Sequence, residues 1–369
     1  MRSRWFLFGC LLFSLPLTLA GQDTSTIRFS GYFKSMGMFT KNPMNGDRLS
    51  TGYLHNRLRF EWNHKSGISF RSDARNRIFA GGMVSEFPGY ASSLNVDVGA
   101  VDLTMADQLS NDVVAVSNID RMVLGYQHQS VSITAGRQRI NWGLNNFWNP
   151  NDVFNAYDFF DFDYEERPGS DAVRMQYATG NMSFFEGASS VDANGKSRTA
   201  MLYRFNRNGY DLQALAGYIL GDVVAGFGWA GSIGESGFKG EARWSSSGDV
   251  VEQGLVFSVG MDRTFEPGWM VATEFLHNGE AYRKEGVSAL SASYPYKNAG
   301  LVQITRQFNP VWSMATAALV AEDEIFVLMP SVSCAIADDW EVLITGIGRM
   351  VKRETESSFF LRLRWSFSN

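Results

Sequence analysis

Alternation of period two runs through most of the chain. Near the C-terminus Phe359, Leu361, Leu363, Trp365 and Phe367 share one parity, while Arg362, Arg364 and Ser366 share the other. A strand sends successive side chains to opposite faces, so this segment predicts a ribbon with one greasy face and one charged face. The same grammar recurs upstream. Leu58, Phe60 and Trp62 oppose Arg57, Arg59 and Glu61, and Ile68 and Phe70 oppose Arg71, Asp73, Arg75 and Arg77. Val173, Met175 and Tyr177 oppose Arg174 and Gln176, and Phe238, Ala242 and Trp244 oppose Lys239, Glu241 and Arg243. Apolar spacing of three and four, the mark of an amphipathic helix, does not compete over these stretches.

Short turn signals stand at Lys65-Ser66-Gly67, Gln129-Ser130, Thr179-Gly180-Asn181, Arg207-Asn208-Gly209, Glu235-Ser236-Gly237, Glu266-Pro267-Gly268, Asn309-Pro310 and Asp338-Asp339. Glycine and asparagine there relieve the positive φ that tight hairpins demand. Between these turns lie connections that are usually longer, over about 41–52, 79–119, 141–170, 189–197, 246–251, 279–297 and 349–357. Placing every short turn on one rim predicts an all-β chain of about eighteen strands, with about sixteen as the alternative, closed as a transmembrane antiparallel β-barrel. Val98 to Met105 breaks the alternation and is assigned to a folded loop. Closure removes sheet edges and leaves no backbone group unpaired in hydrocarbon. The competing reading is a soluble all-β protein with its charged faces outward.

Export follows from the other end of the chain. Arg2 and Arg4 precede an apolar stretch from Trp5 to Leu19, and Thr18-Leu19-Ala20 makes a small-residue cleavage site, so residues 1–20 read as a signal peptide. Pro16 and the shortness of the apolar core argue against a membrane anchor. Leu7-Phe8-Gly9-Cys10 resembles a lipoprotein box, but the apolar run continues past Cys10. Residues 21–369 show no linker, low-complexity tract or composition step, which predicts one barrel domain. Abundant glycine (36) and aromatics (14%) with only nine prolines suit many strands and tight turns. Cys334 is the one cysteine left after cleavage, so neither an internal disulfide nor a cysteine metal site is expected. No cofactor is expected.

Two features carry a family resemblance. The final strand, Phe359 to Phe367, is similar to the C-terminal signal read by the barrel assembly machinery, although Ser368 and Asn369 follow its last aromatic. Gly136-Arg137-Gln138-Arg139-Ile140-Asn141-Trp142-Gly143, then Phe147-Trp148-Asn149-Pro150-Asn151-Asp152 and Glu165-Glu166-Arg167-Pro168-Gly169, resembles a strand-and-loop signature of porin-like barrels. Alginate-export-like proteins and several uncharacterised porin families carry such a signature. The resemblance implies an outer-membrane channel in a Gram-negative bacterium and identifies no substrate.

On parity, the lumen of such a barrel receives Arg57, Arg59, Arg71, Arg75, Arg77, Arg174, Arg204, Lys239, Arg243, Arg362 and Arg364, against Glu61, Asp73, Glu241 and Glu274. Arg137 and Arg139 join them if a bulge near Gly136 switches parity. The chain as a whole is acidic, with net charge −5, and much of the negative charge collects at Asp152, Asp158, Asp161, Asp163, Glu165 and Glu166. Folded inward, this 141–170 loop would narrow the bore and set an acidic face against an arginine wall, predicting mild anion preference. Two other readings stay open: a solvated external loop, or a divalent-ion site at Asp161, Asp163 and Glu165, which lack the glycine and distal glutamate of an EF-hand. The loop's aromatics suit packing against the barrel interior or a slide for apolar solutes.

The four histidines, His55, His64, His128 and His277, sit in no nucleophile or metal motif, and no phosphate-cradling glycine loop is present, so no enzyme is expected. Scattered basic residues give no nucleic-acid signature. Expected partners are outer-membrane lipid and lipopolysaccharide, the assembly machinery, small solutes, and further copies of the chain if the barrel is a homo-oligomer. A plugged or structural subunit of a secretion or export complex is the alternative to a passive channel.

Overall fold

The computed structural model describes residues 25–41, 46–87, 89–154, 169–246, 254–279, 296–322, 324–352 and 354–368. The alternating segments become strands. The first are β1 (Ser25–Lys41), β2 (Arg48–His64), β3 (Ile68–Gly81), β4 (Thr104–Ser110), β5 (Val113–His128), β6 (Val131–Gln138) and β7 (Ser170–Gly180). Then come β8 (Ser183–Val191), β9 (Ser197–Arg207), β10 (Tyr210–Ile219), β11 (Asp222–Ile233), β12 (Ser236–Ser245) and β13 (Gly254–Phe265). The last are β14 (Trp269–Asn278), β15 (Asn298–Gln307), β16 (Trp312–Ala321), β17 (Ile325–Ala337), β18 (Trp340–Val351) and β19 (Glu354–Ser368). Two single-turn helices, α1 (Gly82–Glu86) and α2 (Tyr90–Leu94), lie between β3 and β4.

Each strand pairs antiparallel with its neighbours, and β1 hydrogen-bonds to both β2 and β19, which closes the ring. Eighteen strands make the barrel wall. Parity now has a geometric meaning. Leu361 and Leu363 are 46% and 37% exposed, whereas Arg362 between them is 6% exposed. Phe29, Phe33, Leu124, Met175, Phe227 and Phe275 are likewise exposed on the outside, a greasy exterior that only hydrocarbon covers cheaply. The charged parity faces the bore.

The wall is irregular in one place. β6 and β7 are 8 and 11 residues long, against 17 in β1 and in β2. The β5–β6 and β6–β7 ladders hold their register through Gly136 to Arg137, so the bulge expected near Gly136 is absent and Arg137 keeps the parity of Ile133 and Ala135. At Gly136, with φ +116, a Cβ would stand 2.1 Å from the Met122 carbonyl oxygen. Beyond Gln138 the chain leaves the sheet, so the wall above β6 lacks a strand. β4 fills that gap: β5 pairs first with β4 through Val113–Asn118 and then, toward the short turn, with β6 through Met122–His128. Just before β4, Gly99 bridges to Asp192 beyond the end of β8. Thr104 and Met105, expected in a loop, are thus wall residues, and only the segment before them is irregular.

Two connections are shorter than the alternation predicts. β18 and β19 continue to Val351 and from Glu354, and β1 and β2 continue to Lys41 and from Arg48. The ladder persists at Met350↔Thr355 although Glu354 to Ser357 are polar on both parities. Above the apolar band a strand faces water on either side, so the pattern vanishes while the hydrogen bonds do not.

Candidate functional site: the lumen and its inward loop

The bore is built from two unlike halves. On β2, β3 and β5 the inner face is a lattice of arginines around two carboxylates. Asp73, fully buried, accepts from Arg57 Nη2 (3.0 Å), Arg59 Nε (3.3 Å) and both Nε and Nη2 of Arg71 (2.9 and 2.7 Å). Asp120 accepts from Arg57 Nη1 at 2.7 Å and pairs with Arg75 Nε at 3.6 Å. Glu61 pairs with Arg71 at 3.8 Å. Asp120 reaches this lattice because the β3–β5 register slips between Asp73 and Ala74. It was not among the sequence candidates, yet its parity is that of Met122, Leu124 and Tyr126. A carboxylate cannot be left among lipid-facing side chains, so a bulge was legible there.

Next to the lattice, Tyr32 and Lys34 of β1 and His55 of β2 are buried. The Tyr53 hydroxyl hydrogen-bonds His55 Nδ1 at 3.2 Å, and Lys34 Nζ and the Arg364 guanidinium lie 4.7 and 4.9 Å from the Tyr32 ring centre. Arg362 donates to Glu341 at 2.6 Å, and Arg77 lies over Phe79. None of Tyr32, Lys34 and His55 lies in a motif; the β1–β2 ladder sets Lys34 opposite His55, and the closing β1–β19 seam, which local sequence does not report, adds Arg364 opposite Lys34.

The other half is occupied. Residues 139–154 cross the inner faces of β8 to β17. Ile140, Trp142, Val153 and Phe154 pack on Ala188, Leu202, Leu215 and Val224, while Phe147 and Trp148 pack on Val256, Leu276, Leu301 and Leu319. Polar contacts accompany both clusters. Trp142 Nε1 donates to Glu186 at 2.6 Å, and Arg174 binds the same carboxylate through Nε and Nη2. Glu241 accepts from the backbone N–H groups of Leu144, Asn145 and Asn151, and Glu274 from those of Phe147 and Trp148. Arg243 Nη1 donates to the Pro150 carbonyl at 2.9 Å, and Lys239 Nζ to Asn146 at 2.8 Å. Gly226 admits the loop to the wall, since a Cβ there would stand 2.5 Å from Asn151 Oδ1. Arg204, beside this half, donates to Gln213 at 2.6 Å and lies over Phe184.

Arg137 sits where β6 leaves the sheet. Its guanidinium binds Asp171 through Nε (2.8 Å) and Nη2 (2.9 Å), Asp97 through Nη1 (2.7 Å) and the Val101 carbonyl (2.5 Å). It is buried in the seam between β5, β7 and the segment that carries Asp97 and Val101. Arg139, half-buried, begins the inward segment. Of the acidic loop residues, Asp152 is buried at the foot of the loop. Asp158, Asp161, Asp163, Glu165 and Glu166 lie outside the described residues, and with them the proposed divalent-ion site.

No protein-family model and no curated protein sequence matches the chain. Solved structures do match in shape. OccAB4 of Acinetobacter baumannii superposes with a TM-score of 0.62 at 8% identity, over 94% of this chain and 99% of that one. OccK8 (OprE) of Pseudomonas aeruginosa gives 0.63 at 11% identity, over 93% and 98%. A triple mutant of the Rhodopseudomonas blastica porin gives 0.51 at 11% identity, over 93% and 100%. At such identities the likeness establishes architecture: the chain has the closed transmembrane β-barrel fold of a porin.

Proposed function

We propose that this chain is an outer-membrane channel of a Gram-negative bacterium that passes small solutes through a narrowed bore and prefers anions. One observation carries the reading: among the described residues the inward segment packs on the β8–β17 side of the lumen, and the arginine-rich β19–β1–β2–β3–β5 side lies outside those two clusters. There Lys34, Arg57, Arg59, Arg71, Arg75, Arg77, Arg121, Arg362 and Arg364 outnumber Glu61, Asp73 and Asp120, even with Glu341 of the neighbouring β18 added. Fixed cations on a low-dielectric wall raise the local concentration of anions and set ion preference. Within this reading the Gly136–Gly143 segment, where the chain leaves the wall, is the feature shared with alginate-export-like and related porin barrels. Outer-membrane lipid and lipopolysaccharide would cover the exterior, the assembly machinery would recognise β19, and homo-oligomers would form through the same greasy surface.

Planar-bilayer recording of the purified protein tests it. A reversal potential displaced toward the chloride potential in a salt gradient supports the reading, and cation selectivity overturns the anion preference. The close packing of Trp142, Phe147 and Trp148 inside the wall favours a second reading, a plugged subunit of an export complex. A protein that inserts and stays silent would establish that one instead.

A further inference from the structure

Residues 139–154 have no ladder partner, yet they lie inside a protein wall where an unpaired backbone N–H is costly. The wall supplies the acceptors. Glu241 of β12 receives three loop amides, with Leu144 and Asn145 (3.0 Å) on Oε1 and Asn151 (2.8 Å) on Oε2. Glu274 of β14 receives two more, Phe147 at 3.0 Å on Oε2 and Trp148 at 2.7 Å on Oε1. Glu241 is fully buried and Glu274 is 4% exposed, so water does not share this task. The bonds go to backbone groups and so do not depend on the identity of the loop side chains.

We propose that Glu241 and Glu274 are positioning residues that hold the inward loop against one side of the barrel and thereby set the width of the bore. A carboxylate suits the task because both oxygens accept and neither donates. Glutamine has the same shape but brings an NH2 group. At position 241, whichever way the amide turns, that NH2 faces a loop N–H. The consequence for conduction rests on the channel reading above; the anchoring itself does not.

The test uses Glu241→Gln in the full chain, with Val153→Cys as a reporter in a Cys334→Ser background. Val153 belongs to the loop and is fully buried in the cluster it forms with the wall. Heat-dependent gel mobility shows whether the barrel closes, since the loop is not part of the wall. Maleimide labelling of the reporter should be slow in the parent and rise roughly ten- to hundredfold in the variant, the population change equivalent to one buried bond left unmade. Conductance should rise, with larger open-channel noise. A closed barrel with unchanged labelling overturns the anchoring. Faster labelling in a protein that conducts in neither form supports the anchoring and overturns the channel reading instead. If the variant does not fold, hydrogen exchange on the unaltered protein decides: slow exchange at Leu144, Asn145, Phe147, Trp148 and Asn151 supports the proposal, and exchange at the rate of an open loop sinks it.

Discussion

Arg137→Ala is the sharpest perturbation of the wall itself. The side chain makes four short hydrogen bonds across the seam, three of them to carboxylates. Its removal strands Asp97 and Asp171, whose side chains are 6% and 15% exposed, opposite one another. Breaking a buried ion pair from one side costs about 3–5 kcal/mol. Here both acids keep other donors: Asp97 accepts from the Gly99, Leu103 and Thr104 groups, and Asp171 from the Val101 amide. The expected loss is therefore at the lower end, about 3 kcal/mol. Urea titration of protein refolded in vesicles, followed by tryptophan fluorescence, measures it. If stranded charge is the cause, adding Asp97→Ala should recover part of the loss, a coupling that a cavity alone would not produce. Acid provides an independent check. Burial alone would raise the Asp97 carboxyl, but the Arg137 hydrogen bond and the Gly99 and Leu103 amides outweigh it and hold it below its ordinary value. A depressed folded value means stabilisation that is complete at neutral pH and is lost as pH falls below the carboxylate range. The gap between parent and variant should accordingly narrow in acid. A loss under about 1 kcal/mol at neutral pH, the scale of an exposed pair, would refute the seam argument.

Two further substitutions test the faces. Gly226→Val places a side chain where Asn151 Oδ1 and Leu215 Cγ would lie 2.5 and 2.9 Å from its Cβ; it should cost about 1–3 kcal/mol by overpacking and increase labelling at Val153→Cys, and unchanged stability would deny that the loop seats on β11. Leu361→Arg puts a cation on the greasy exterior beside the closing seam and should cost about 2–4 kcal/mol if that position lies near the bilayer midplane; a cost near zero in vesicles would mean that this face does not meet lipid.

The fold was legible because lipid enforces alternation and turns enforce glycine. Leu361 and Arg362 announce their faces without help from any neighbour. Legibility failed wherever another segment covers the inner face. Ala188, Leu202 and Leu215 are apolar on the parity that should be polar, because Ile140, Trp142 and Phe154 press on them. β4 went unread for a related reason: a strand that patches a short lane is under no demand to alternate over a full membrane thickness. Asp120 was hidden by a bulged register, and Asp171, on the parity of Val173 and Met175, by the distant segment whose Val101 amide it accepts. The parity of Asp120 among lipid-facing residues was a usable signal, whereas nothing near Asp97 in sequence points to Arg137.

Counting inner charges by parity treats every carboxylate alike, and the structure separates them by what they bind. Glu241 and Glu274 are enclosed by amide hydrogens of the loop, so their charge anchors backbone and is shielded from solute. Asp73 is shared by three guanidiniums, which leaves its surroundings positive even after pairing. The proposed transverse field would thus rest on the cation excess of the β19–β5 side, because on the other side Glu186 is paired with Arg174 while Glu241 and Glu274 hold loop amides. The acids from Asp158 to Glu166 are not needed to create it. Neutralising them should therefore leave the sign of the ion preference unchanged, whereas Arg57→Ala, which uncovers both Asp73 and Asp120, should shift it toward cations.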